Sequence, residues 1–216
     1  MIPTSIEKLD HFLGGGIKNG IITDIFGPNG TGKTQFLIQI SINSLLQGGH
    51  VYFQDTTGEF RPERMLQVMQ NNNMDYSLMN NVLVSRITNS AEQIQALSKI
   101  PKSNFDLIVI DNITDLYSFE YSKDELTLEK NIIFMKYMHD LSKITIQNNI
   151  STVITNMIRN IDHHEIENLE KSINMFTHTK IKLSKHGSKF SGKAYSPFSE
   201  NSFNYNISSL GLTNPS

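Results

Sequence analysis

The sequence predicts an α/β fold: a mostly parallel central sheet with helices on both faces, followed by a C-terminal antiparallel β extension. Three observations predict it. From Ile21 to Thr155, short apolar runs alternate with segments of helical period, the order that builds parallel sheets. One of these runs, Leu107–Ile110, is four uninterrupted aliphatics, as in a strand covered on both faces. After Thr155 only short strand-like runs separated by turns remain.

Taken in order, Ile21–Phe26 reads as the first strand, followed by a glycine-rich loop and a helix from Lys33 to Leu46. Gly48-Gly49 closes that helix, as glycine does where the chain must turn left-handed. Val51–Gln54 is the second strand, and Pro62 suits the first turn of a helix over Arg61–Gln70. Val82–Ser85 and Ser90–Ser98 are the third strand and helix, and Leu107–Ile110 the fourth strand. A long helix follows, from about Glu125 to Gln147, with Leu126, Ile133, Tyr137, Leu141 and Ile144 along one stripe. Ser151–Thr155 is a fifth buried strand; His178–Leu183, Ser191–Tyr195 and Phe203–Ile207 are the β-only tail. No repeat, low-complexity tract or composition break divides the chain, so residues 1–216 read as one domain.

Composition excludes several classes. With 19 basic and 21 acidic residues the net charge is −2, so there is no whole-protein basic field for nucleic acid. Bidentate phosphate clamps are scarce, because the arginines are only Arg61, Arg64, Arg86 and Arg159. The absence of cysteine excludes disulfides and thiolate metal sites. No apolar run reaches the roughly 18 residues of a membrane helix, and MIPTSIEKLD lacks the marks of an export signal, so a cytoplasmic location is expected.

Seven of the thirteen glycines fall within the first 32 residues, and they lead to the chemistry. Gly27-Pro28-Asn29-Gly30-Thr31-Gly32-Lys33-Thr34 fits G-x-x-x-x-G-K-[ST], between a strand and a helix as the mechanism requires. Such glycines let backbone N–H groups turn in around phosphate oxygens, helped by the positive end of the helix. Lys33 would then face the β- and γ-phosphates of ATP and the Thr34 hydroxyl would ligate Mg²⁺, with Gln35 beside them. Asp111, just past the fourth strand, supplies the acidic partner for the Mg²⁺ shell.

Further stretches narrow the class. Ile2–Gly20, with Leu9-Asp10 and Leu13-Gly14-Gly15-Gly16-Ile17, resembles the lead-in of the RecA/RadA recombinase family. Tyr52–Arg64 resembles the family's Y-I-D-T-E-G-T-F-R-P-E-R segment, Thr155-Asn156 its T-N-Q motif, and Ser196-Pro197 with Phe203–Ile207 its closing hairpin. The likeness runs in order through nearly the whole chain and implies a RecA-like P-loop core. A bare ATPase core is therefore expected, without the family's helix-hairpin-helix domain or polymerisation linker. The shortened stretch from Thr155 to Lys180 is similar to archaeal RadB-like paralogues.

What the resemblance implies is a protein that assists homologous recombination and DNA repair, beside a RadA-type recombinase or another paralogue. The departures matter. The family's catalytic glutamate falls on Thr57, whose hydroxyl is too weak a base, and its γ-phosphate-sensing glutamine falls on Met157, which has no amide. ATP binding with very slow hydrolysis is therefore expected. Glu59 lies two residues along, about 6–7 Å away in an extended segment, and is the alternative base of a competent DNA-dependent ATPase. Arg64 matches the position that packs on the nucleotide base, or is a solvated helix residue.

For DNA, both loops the family uses are altered. Ser118–Glu125 lacks the Gly-Arg-Gly, and Met157–Ser172 is net acidic and lacks the paired glycines. One basic run remains, Lys180, Lys182, Lys185, His186, Lys189 and Lys193, with no acid between its ends. It reads either as a weak, salt-sensitive contact to single-stranded DNA or as an edge strand guarded by lysines. Without that contact, the remaining alternative is a KaiC-like nucleotide switch that does not bind DNA. His163-His164 with Glu167 is set aside as a metal site, since adjacent side chains point apart.

Overall fold

The computed structural model describes residues 1–102, 104–161 and 164–215. The helices are α1 (Glu7–Leu13), α2 (Lys33–Leu46), α3 (Pro62–Asn71), α4 (Ser90–Ala96), α5 (Asp115–Glu120), α6 (Thr127–Gln147) and α7 (Glu170–Asn174). The strands are β1 (Ile22–Gly27), β2 (Val51–Asp55), β3 (Val82–Arg86), β4 (Leu107–Asp111), β5 (Ser151–Ile161), β6 (His164–Glu167), β7 (Thr177–His186), β8 (Lys189–Ser196), β9 (Ser199–Ser208) and β10 (Gly211–Thr213).

All the strands join one sheet in the order β10-β9-β8-β7-β1-β5-β4-β2-β3, with β6 paired to β5. From β7 to β3 the neighbours run parallel, while β8, β9 and β10 add antiparallel. The uninterrupted aliphatics of β4 explain themselves in this setting. Val109 faces a core with Phe36, Leu37 and Phe53 against α2, while Ile108 and Ile110 face a second core with Tyr117, Phe134, Tyr137 and Leu141 from α5 and α6. Alternate residues of a central parallel strand are both buried, so no polar position breaks the run.

Three features differ from the reading of the sequence. The first strand of the tail, β7, is parallel to β1, because α7 carries the chain back to the starting edge before it. The Met157–Ser172 stretch is not an open loop: β5 continues to Ile161 and its outer half pairs antiparallel with β6. The long helix begins at Thr127, after a 3₁₀ turn over Asp124–Leu126. Because β1, β2, β4 and β5 point the same way, the segments leaving their carboxyl ends meet at one edge, where ligands bind in open α/β sheets.

A candidate phosphate-binding cleft

The segment leaving β1 is the glycine loop. Gly27, Gly30 and Gly32 have φ of 153, 77 and 88°, conformations open to glycine and strained for other residues. At Gly27 the backbone of β7 also comes so close that a Cβ would lie 2.3 Å from the Leu183 carbonyl oxygen. Gly32 caps α2, so the loop delivers the chain straight into the helix N-terminus. The Lys33 ammonium folds back and donates to the carbonyls of Gly27 at 2.9 Å and Pro28 at 3.1 Å. Burial lowers its pKa, while the charges of Asp111, Asp115 and Glu59 oppose that shift.

Asp111 ends β4 and is 3% exposed. Its Oδ2 accepts from the Thr34 hydroxyl at 2.7 Å and its Oδ1 from the Thr155 hydroxyl at 2.5 Å. Burial raises its pKa; the two hydroxyls pull it back. The parallel register that sets Ile110 beside Ile154 brings Asp111 and Thr155 together. Next to it, the Thr56 hydroxyl donates to the Asn112 carbonyl at 2.6 Å, tying the ends of β2 and β4.

These elements enclose a cleft of about 610 Å³, within the size range of small-molecule sites. Of the residues singled out from the sequence, Asn29, Gly30, Gly32, Lys33, Thr34, Gln35, Glu59 and Asp111 line it, as do Thr57 and Met157. Gly27, Pro28 and Thr31 form the back of the loop. Thr34 and Asp111 are hard oxygen donors of the kind Mg²⁺ takes, an ion that binds one or two protein groups together with substrate phosphates and water. That chemistry fits the ion; among the described residues no group of three or more His, Asp or Glu forms a dedicated metal cage. His163 lies outside the described residues.

Sequence reasoning missed Asp115. It opens α5, lines the same cleft, and has a pKa raised first by burial and then by the Asp111 charge. Its position four residues after Asp111 was the available signal. Also missed was Tyr205, from β9, which donates to the Thr31 carbonyl at 2.6 Å.

Arg64 is not free in solvent. Its guanidinium donates to Gln35 Oε1 at 2.7 Å, Gln67 Oε1 at 2.6 Å and the Ser208 carbonyl at 2.5 Å, joining α3 to α2 and to β9. The basic run divides. Lys180 pairs with Glu167 at 2.6 Å and lies 3.4 Å from Asp24, and Lys182 pairs with Glu165 at 2.6 Å. The acids come from the β5–β6 hairpin and β1, which a search along the run itself does not reveal. Lys185 and Lys189 sit exposed at the tip between β7 and β8, with Lys185 5.1 Å above the Phe190 ring.

A parallel sheet with a glycine loop after β1, and a Lys–Thr pair set against the acid ending β4, define a P-loop nucleotide-binding core. The chain belongs to the Rad51 family, whose model matches residues 1–182. It is 34% identical over 169 residues to the DNA repair and recombination protein RadA of Cenarchaeum symbiosum, covering 73% of this chain and 42% of that protein. It is 35% identical over 162 residues to the DNA repair and recombination protein RadB of Thermococcus sibiricus, covering 73% of this chain and 68% of the relative. With the RadB of Pyrococcus abyssi the identity is 30% over 182 residues, 81% of this chain and 78% of the relative. Among the described residues, no helix is long and apolar enough to cross a membrane.

Proposed function

We propose that this chain is a RadB-like recombinase paralogue that binds ATP with Mg²⁺ in the cleft after β1, hydrolyses it very slowly, and assists homologous recombination and DNA repair beside a RadA-type recombinase. The observation that carries the reading is the convergence of Lys33, Thr34 and Asp111 on one cleft of a Rad51-family chain. The loop backbone and Lys33 hold the phosphates, and Gln35 and Arg64 stand on the side of α2 toward α3 and β9. Thr34 and Asp111 would hold Mg²⁺, which when bound would supply charge neutralisation for the nucleotide phosphates.

Slow turnover is supported by what stands at the γ-phosphate end. The Thr57 hydroxyl is engaged with Asp55, and Met157 offers no donor. Calorimetry with Mg²⁺ and ATP, together with phosphate release, tests the reading: saturable heat with little hydrolysis supports it, and no heat refutes it. Mixing with a RadA-type recombinase is expected to raise turnover above the sum of the two proteins.

One observation favours a second reading. Glu59 lines the same cleft as Lys33, so a competent DNA-dependent ATPase using Glu59 as base is the alternative. Loss of a sizeable DNA-stimulated rate in Glu59→Gln would select it. For single-stranded DNA, Lys185 and Lys189 carry the proposal, while Lys180 and Lys182 hold the hairpin.

A further inference from the structure

A phosphate loop works when its N–H groups turn inward, and the carbonyls of the same loop then need donors of their own. Four of those carbonyls, at Gly27, Pro28, Thr31 and Gly32, have donors within the protein. Gly27 and Pro28 accept from Lys33, and Pro28 accepts also from the Thr31 hydroxyl at 2.9 Å. Gly32 accepts from the Phe36 N–H at 2.8 Å, at the start of α2. Thr31, 1% exposed, accepts from Tyr205, 174 positions along the chain. Of these donors, Tyr205 alone lies outside the loop and its own helix.

The peptide bond between Thr31 and Gly32 is planar and trans, so the Thr31 carbonyl and the Gly32 N–H point in opposite directions. A group that anchors the carbonyl outward therefore aims the N–H inward. Tyr205 is built for that. It is 1% exposed, and its ring lies 5.5 Å from Phe190 and 6.0 Å from Phe203. Burial pushes its phenol well above the ordinary range, so it stays a donor at neutral pH. Two residues on, Ile207 Cδ1 fills the place a Cβ of Gly32 would take, 2.3 Å from that position. The same extension holds Arg64 through the Ser208 carbonyl, and Leu212 of β10 donates to Gln39 Oε1 of α2 at 3.1 Å. The family match ends at residue 182, before these strands.

We propose that Tyr205 is a positioning residue for nucleotide binding: its hydroxyl fixes the Thr31–Gly32 peptide so that the Gly32 N–H faces the phosphates. This rests on the nucleotide reading above. Once Lys33 turns from the Gly27 and Pro28 carbonyls to a phosphate, Tyr205 still holds the loop from behind.

The test is Tyr205→Phe, which keeps the ring and removes the hydroxyl. In nucleotide-free protein, amide hydrogen exchange over residues 27–34 is expected to quicken several-fold while β4 stays unchanged. ADP and ATP are both expected to bind roughly three- to tenfold more weakly, the scale of one net hydrogen bond. Tyr137→Phe serves as the control for a merely structural hydroxyl, since Tyr137 donates to Gln54 Oε1 at 3.3 Å in the other core. It is expected to lower the melting temperature and leave both affinities alone. Unchanged exchange in Tyr205→Phe, or equal weakening in the control, overturns the proposal. If the parent protein binds neither nucleotide, the proposed function falls, and the exchange comparison still decides the role of Tyr205.

Discussion

The Thr57 hydroxyl donates to Asp55 Oδ1 at 3.1 Å. The same oxygen accepts the N–H groups of Thr57 at 3.2 Å and Gly58 at 2.7 Å, and the other carboxylate oxygen pairs with Arg86 at 3.0 Å. The turn after β2 is thus held mainly through backbone donors and Arg86; the Thr57 hydroxyl adds one acceptor, for the Glu59 N–H at 3.2 Å, at an exposed position. Thr57→Glu is expected to keep the turn and place a carboxylate in the cleft. Single-turnover phosphate release should rise by on the order of a hundredfold, the usual scale for a general base. An unchanged rate would mean that this position does not limit hydrolysis.

Asp111 illustrates the opposition between stability and function. Buried beside two hydroxyls, it has a pKa raised by burial, so ionising it weakens the nucleotide-free fold. Asp111→Asn keeps an acceptor for Thr34 or Thr155 and removes the charge. It is expected to melt at or above the parent's temperature at pH 8, yet to lose about tenfold of the Mg²⁺-dependent gain in ATP affinity. Calorimetry with and without Mg²⁺ reads the second effect; a retained Mg²⁺ dependence would remove Asp111 from the metal site.

The fold and the phosphate loop were legible because both are local in sequence. Strand–helix alternation and the aliphatic run of β4 fix the parallel sheet, and the spacing from Gly27 to Thr34 fixes the loop. What was not legible depends on partners far along the chain. Tyr205 reads as one more strand aromatic until β9 is folded against Thr31. Lys180 and Lys182 read as an open basic face until the β5–β6 hairpin brings Glu167 and Glu165 to them. That hairpin was itself hidden, since its charged strands lack the apolar alternation that marks a half-buried sheet.

Those pairings redirect the test for DNA. Reversing Lys180 would leave Glu167 and Asp24 facing a third acid, so its effect on DNA would be confounded with unfolding. Lys185 and Lys189 carry no such risk at the hairpin tip. Lys185→Glu with Lys189→Glu is expected to abolish low-salt retention on single-stranded DNA, with the melting temperature unchanged. Replacing each singly by alanine should lower the salt slope by about 0.7. Retention by the double variant equal to the parent's would clear this face of any DNA role.

Asp24 makes the remaining prediction, one of stability against pH. It is fully buried in β1, 3.4 Å from the Lys180 ammonium, with Glu167 beside it sharing that lysine and the Phe26 ring 4.8 Å from the ammonium. Burial first, and then the Glu167 charge, hold its carboxyl well above the usual range, against the pull of Lys180. The folded state therefore prefers the protonated acid. Its contribution is complete below the unfolded value, near about 3.9, and is lost as pH rises through the raised folded value. Asp24→Asn mimics the protonated form at every pH, and Lys180 keeps Glu167 as its partner. The variant should exceed the parent by about 1 kcal/mol at pH 8, and the gap should close toward pH 4. Thermal melts of both proteins across that range provide the measurement. Parallel curves would show that Asp24 keeps its charge in the fold, and that Lys180 neutralises both acids at once.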